Sequence, residues 1–220
     1  MLAGQKGYGA NGLQNFLFPL DYLYITQGSY YYTYSHNGCY AMDFVGTTSH
    51  YPYYAPFDCH CVAKWGSSSP QVVWQSNNEV NFIDGTTGYA CIGFNHDNNI
   101  PNIHVGDTKL QGEVIGHTGT YGGVGDHVHI EAKKGTYQGY HQNSQGVYML
   151  TGSTWLYDLF GVNDTTLAKT YYDNHNGQRV YYTFRDFTIN LPYPPTPPIP
   201  VIREGKFPWV LYAKKLREKG

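Results

Sequence analysis

The sequence predicts a mostly β, antiparallel fold with short helices toward its C-terminal part. Three observations lead there. Short strand-like runs follow one another at close spacing with turn signals between them. Tyrosine, a residue suited to half-buried strands, occurs 23 times in 220 residues. Glycine occurs 26 times and asparagine-rich turns recur, as sharp reversals of a β chain require.

Residues 1–15 are glycine-rich and polar and lead into the fold. The predicted strands are "AMDFV" (41–45), "CHCVAKW" (59–65), "QVVWQS" (71–76), "EVNFI" (79–83), "GYACIGFNH" (88–96), "EVIGHT" (113–118) and "HVHIEA" (127–132). The pair "QVVWQS" and "EVNFI", separated by two asparagines, reads as a hairpin. Further on, "STWLYDLFG" (153–161) reads as a short helix capped by Ser153, and "RVYYTFRDF" (179–187) as another strand. Six prolines in "LPYPPTPPIP" (191–200) favour an extended, stiff spacer. The organisation expected is therefore a folded domain over 1–190, a proline-rich linker over 191–200, and a basic tail or docking helix over 201–220.

Net charge is −2 with 14% charged residues, which gives no surface for a polyanion such as nucleic acid. No run of 18 apolar residues exists, so no membrane span is expected. The first fourteen residues lack an apolar segment of the secretory kind, so no signal peptide is expected. Cys39, Cys59, Cys61 and Cys91 show no disulfide-like spacing. Cys59-His60-Cys61 has the look of a metal clip, yet its strand alternation puts the two thiols on one face and the imidazole on the other.

The most telling stretch is "TGTYGGVGDHVHIEAKKG" (118–135). In a strand His127, His129 and Glu131 share one face, opposite Val128 and Ile130. Two adjacent imidazoles suit a metal better than a core. Upstream, "SHNGCYAMDFVG" carries His36 and Asp43 seven residues apart around an Asn-Gly turn. A straight strand would set them on opposite faces, so the turn must fold them together if they share a metal. With one of the later histidines they would form a His-Asp-His site, three ligands with a position open for water. His96 closes the strand "GYACIGFNH" and, alone, reads as a surface residue.

The order of these elements resembles the lysostaphin-type zinc endopeptidases of bacterial cell walls. The His-Asp pair, then "YAPFD", then a strand ending in histidine, then "HVGDTKLQGEVIGHTGTYGGVGDHVHIEA", follows that family's pattern over roughly residues 19–134. Two departures stand out. The family's HxGxD is stretched to His36-x6-Asp43, and Cys59 replaces the glycine after the APxD segment. The stretched form is similar to the phage branch, whose tail-knob proteins digest the wall.

The resemblance implies an antiparallel core of the lysostaphin type and one zinc ion per chain, held by His36, Asp43 and His129. It implies His96 and His127 as catalytic histidines. Glu131, on the same strand face, is a candidate either for orienting a ligand or for a structural salt bridge. The resemblance also implies a peptidoglycan substrate and a place in a phage tail or among released lysins, with other tail proteins as partners of residues 201–220. A catalytically inactive wall-binding or structural tail module is the alternative, and a tyrosine-rich carbohydrate-binding module a third reading. Tyr30, Tyr31, Tyr32 and Tyr34 are candidates for lining a substrate groove. His50, His60, His104, His117, His141 and His175 match no position of the pattern and read as structural or exposed.

Overall fold

In the computed structural model, residues 1, 3–21, 24–27, 35–66 and 70–160 are described, with the backbone of 170–173 and 178–181. Among the described residues, fifteen strands and two 3₁₀ turns make up the regular structure. The strands are β1 (Tyr24–Gln27), β2 (Met42–Val45), β3 (Pro52–Tyr54), β4 (Cys59–Trp65), β5 (Gln71–Ser76), β6 (Val80–Asn81), β7 (Thr87–Gly88), β8 (Ala90–Asn95), β9 (Thr108–Lys109), β10 (Val114–His117), β11 (Val128–Lys134), β12 (Tyr140–Gln142), β13 (Tyr148–Leu150), β14 (Thr170–Asp173) and β15 (Gln178–Tyr181). Nine of them form one sheet in the order β15-β14-β1-β2-β11-β8-β5-β4-β9, and three two-stranded sheets flank it. Pairing in the large sheet is antiparallel except between β1 and β14.

Alternation along β11 shows how the sheet divides its faces. Val128, Ile130 and Ala132 are fully buried in the core, where they join Phe44 on β2, Ile92 and Phe94 on β8, and Val72 and Trp74 on β5. Phe16 completes this side, edge-on to Phe57 at 4.8 Å and to Phe160 at 4.7 Å. Burying each such aromatic stabilises the fold by about 1.5–3 kcal/mol. The odd-numbered residues of β11 face the other way. There the β12–β13 hairpin covers Val73 and Cys91 with Leu150, while the end of the sheet beside His129 stays half open.

Two expectations are corrected. The hairpin of "QVVWQS" with "EVNFI" does not form, because both edges of β5 are taken by β4 and β8. The chain instead turns back at Asn77, whose N–H donates to Asp58 O, and β6 pairs with β7. Ser153 caps no α-helix. Leu156–Asp158 is a single 3₁₀ turn that starts from Trp155 without a side-chain cap, and burial of Leu156, Leu159 and Phe160 holds it. The strand expected over 113–118 forms as β10, which pairs with β3 outside the large sheet.

The four cysteines are free and buried. Burial raises every thiol, to about 11 at Cys61 and about 12 at Cys91, so all are neutral thiols at pH 7. The Cys59-His60-Cys61 stretch is a strand with the alternation expected, and His60 Nδ1 meets Asn77 Oδ1 at 2.7 Å. Among the described residues no helix is long and apolar enough to cross a membrane. The linker and tail, residues 191–220, lie outside the described residues, as do Tyr30, Tyr31, Tyr32, Tyr34, His175 and the strand expected beyond Tyr181.

Candidate metal centre

His36 reaches the site through a tight turn. Gly38 adopts φ 70°, a conformation that favours glycine, and Cys39 N–H closes the turn on His36 O at 3.0 Å. The turn is pinned from outside by Asn143, whose side-chain amide donates to Asn37 O at 3.0 Å. In this way the odd spacing of His36 and Asp43 is overcome and both side chains meet on one face.

Asp43 and His129 are direct cross-strand partners on β2 and β11, so their side chains stand side by side. His36 Nε2, Asp43 Oδ1 and His129 Nδ1 then form a nearly equilateral triangle. Its edges are 3.2 Å (His36–Asp43), 3.1 Å (His129–Asp43) and 3.1 Å (His36–His129). Two imidazole nitrogens and a carboxylate oxygen at this separation fit a zinc-like ion. Bonds of about 2.0–2.1 Å at tetrahedral angles put such donors about 3.3 Å apart. All three side chains offer their ligand atoms toward one point.

Glu131, two residues along β11, is buried and fully engaged. Its Oε1 lies 3.5 Å from His129 Nε2 and accepts from Gln71 Nε2 at 3.2 Å, and its Oε2 accepts Leu150 N–H at 2.7 Å. A carboxylate facing Nε2 favours the proton there and leaves Nδ1 as the electron-pair donor. Without metal, burial works against charge on both His129 and Asp43. At Asp43 the neighbouring His36, followed by the hydrogen bond with His129, outweighs it and holds the carboxyl well below the usual carboxylate range; at His129 the hydrogen bonds with Asp43 and Glu131 outweigh it and raise the ring to about 10.

His96 and His127 flank the triangle, their rings 4.4 Å apart and His96 6.1 Å from His129. Each is held by a backbone carbonyl. His96 Nδ1 donates to Tyr121 O at 2.8 Å and His127 Nδ1 donates to Gly125 O at 2.7 Å. A carbonyl can only accept, so both rings, when neutral, carry the proton on Nδ1 and leave Nε2 basic. His127 Nε2 is 3.7 Å from Asp43 Oδ2. Burial, followed by His129 and His127 nearby, pushes the His96 pKa down to about 4.

The backbone around His96 is shaped for this clamp. His96 adopts φ 76°, and Tyr121 N–H returns a bond to His96 O at 3.0 Å. Gly119 makes the approach possible, since a β-carbon there would fall 2.3 Å from His96 O. Gly119 also exchanges backbone bonds with His127, of 3.0 and 3.1 Å. The two catalytic candidates therefore share one scaffold, the glycine-rich turn.

The structure brings all five singled-out residues and Glu131 into one place. Sequence reasoning missed Gln71 and Leu150, which hold Glu131 from distant segments, and the carbonyls of Tyr121 and Gly125. The glycine run in "TGTYGGVGD" was the signal that the backbone itself would be used there.

No family model matches this sequence. A curated relative, Morphogenesis protein 1 of Bacillus phage B103, is 40% identical over 164 residues, which is 74% of this chain. The chain spans 44% of that relative's length. Solved structures that match include LytU, at 21% identity and TM-score 0.39 over 54% of this chain and 79% of that one. Another is the catalytic domain of the antimicrobial peptidase lysostaphin from Staphylococcus simulans, at 22% identity and TM-score 0.33 over 61% and 83%. A third, a zinc containing peptidase from Vibrio cholerae, shares 19% identity at TM-score 0.40 over 58% and 42%.

The chain belongs to the family of that phage morphogenesis protein.

Proposed function

We propose that this chain is a zinc-dependent endopeptidase that hydrolyses peptide bonds in bacterial peptidoglycan. The observation that carries this reading is the donor triangle of His36, Asp43 and His129 with two carbonyl-anchored imidazoles beside it. His36 Nε2, Asp43 Oδ1 and His129 Nδ1 would hold the ion. Zinc bound there supplies Lewis acidity and lowers the pKa of a water toward about 7.

The remaining chemistry belongs to the chain. His96 and His127 present basic Nε2 atoms beside the triangle, so one takes the proton of the attacking water. The imidazolium so formed returns that proton to the leaving amine, and until then its charge favours the developing oxyanion. Glu131 keeps His129 in the ligating tautomer. Histidine thus does what a glutamate does in HExxH enzymes, a motif this sequence lacks.

The phage relative supports a place in a virion tail or among lysins released for wall lysis. In that setting residues 201–220 dock on another tail protein, with 191–200 as the spacer.

The test is mass spectrometry of muropeptides released from several bacterial walls by the zinc-loaded chain. New peptide termini are expected, lost on chelation and regained on adding zinc. One zinc per chain with no bond cut in any wall would leave an inactive wall-binding module as the better reading.

A further inference from the structure

The cross-strand row that contains the metal triangle continues beyond it. Asp43 pairs with His129 and His129 with Asn95. Val72 pairs with Phe94, so the next position sets Gln71 beside Asn95, and Gln71 pairs with Trp65. Cross-strand partners share a face. Trp65, Gln71, Asn95, His129 and Asp43 therefore form one line on the site side of the sheet.

The line ends in aromatic rings. Trp65 stacks on Tyr140 with centroids 4.4 Å apart and planes at 16°, and it meets Tyr148 at 5.0 Å. Tyr148 stays 54% exposed. Its cross-strand partner Gln142 is also exposed; its side-chain N–H donates to Gly146 O at 2.8 Å, which leaves the amide oxygen as the group it offers on the same face. Three interstrand steps of about 4.8 Å place Trp65 about 14 Å from His129. An extended peptide of about four residues covers that distance at about 3.4 Å each. One step from His129 lies Asn95, whose buried Oδ1 has no hydrogen-bond partner among the described residues.

We propose that Trp65, Tyr140 and Tyr148 form a sugar-binding platform for the amino-sugar strand of the wall. The proposal rests on the peptidase reading above. Pyranose rings present C–H faces that pack on flat aromatic surfaces, and their hydroxyl and acetamido groups need neutral polar partners. Tyr148 and Gln142 offer both properties together. The sugar strand sits at the aromatic end of the row, and the short peptide hanging from it passes above the buried Gln71 to reach the half-open end at the metal triangle. Substrates carrying the sugar are then favoured over the same peptide without it.

The test uses the zinc-loaded full chain and a peptide-free tetrasaccharide of alternating N-acetylglucosamine and N-acetylmuramic acid. Saturable binding is expected by chemical-shift change, weakened about ten-fold in Tyr148→Ala and retained in Tyr148→Phe, which keeps the ring. In turnover, Tyr148→Ala should raise KM about ten-fold on a disaccharide-peptide, with kcat unchanged, and leave the sugar-free peptide unaffected. Absence of tetrasaccharide binding, binding indifferent to Tyr148→Ala, or an equal rise in KM on both peptides overturns the platform. No turnover on either peptide, with Tyr148-dependent sugar binding intact, overturns the peptidase reading and leaves the platform standing.

Discussion

His129 stands between two carboxylates, with Nδ1 3.1 Å from Asp43 Oδ1 and Nε2 3.5 Å from Glu131 Oε1. One ring nitrogen thus faces the metal position and the other faces a buried anion. Because Glu131 also accepts from Gln71 and Leu150, it cannot swing away without orphaning both donors.

Glu131→Gln tests this arrangement. The new amide brings an N–H toward groups that are themselves donors, and His129 loses its anion. Zinc affinity is expected to fall about 10- to 100-fold, as for other residues that orient a ligand. Competition against a chelator dye measures it. Unchanged affinity would reduce Glu131 to a packing role.

Ligands and catalysts should separate by substitution. His129→Ala is expected to abolish stoichiometric zinc by elemental analysis. His96→Ala and His127→Ala are expected to keep zinc and the fold yet lose about 10²- to 10⁴-fold in turnover. Full zinc in the first variant, or near-normal wall lysis by His127→Ala, would reverse the assignment.

A pH effect is expected away from the site. Asp84 accepts from Lys134 Nζ at 2.5 Å, joining the turn after β6 to the end of β11. Burial acts to raise its pKa, but Lys134 and Thr86 outweigh it and the net shift is downward. A carboxylate with a lowered folded-state pKa contributes stability that is full above the unfolded value of about 3.9 and lost as pH falls through the folded one. Thermal melts of wild type and Asp84→Asn should therefore differ most near neutrality and converge below about pH 4. The pair is solvent-facing, so the gap should also shrink in high salt.

The proline segment yields a further expectation. Proline removes the donor that a sheet ladder needs, so residues 191–200 should lie outside the β core. A chain ended after residue 190 is expected to keep its fold, zinc and activity on soluble wall fragments. Circular dichroism, elemental analysis and turnover check the three. Unfolding or loss of metal would place the tail within the domain.

Much of the fold was legible locally. "CHCVAKW" and "QVVWQS" are strands with the expected bounds, because side-chain alternation and β-branched content act within a few residues. The same alternation put His129 and Glu131 on one face and their apolar neighbours on the other. The Asn-Gly turn after His36 announced a reversal, and Gly38 makes it. Strand alternation alone left open which histidine of the pair stands beside Asp43. Tertiary structure decided it, because register is a non-local hydrogen-bond pairing. That pairing sets His129 opposite Asp43, while His127 lies just before β11 and is tied to Gly119 and Gly125. The failed hairpin has the same cause. "QVVWQS" and "EVNFI" have strand character and a plausible turn, but β8 arrives from later in the chain to occupy the edge they needed. Local chemistry determined which residues extend and which way they face; only the packed sheet determined which neighbours they meet.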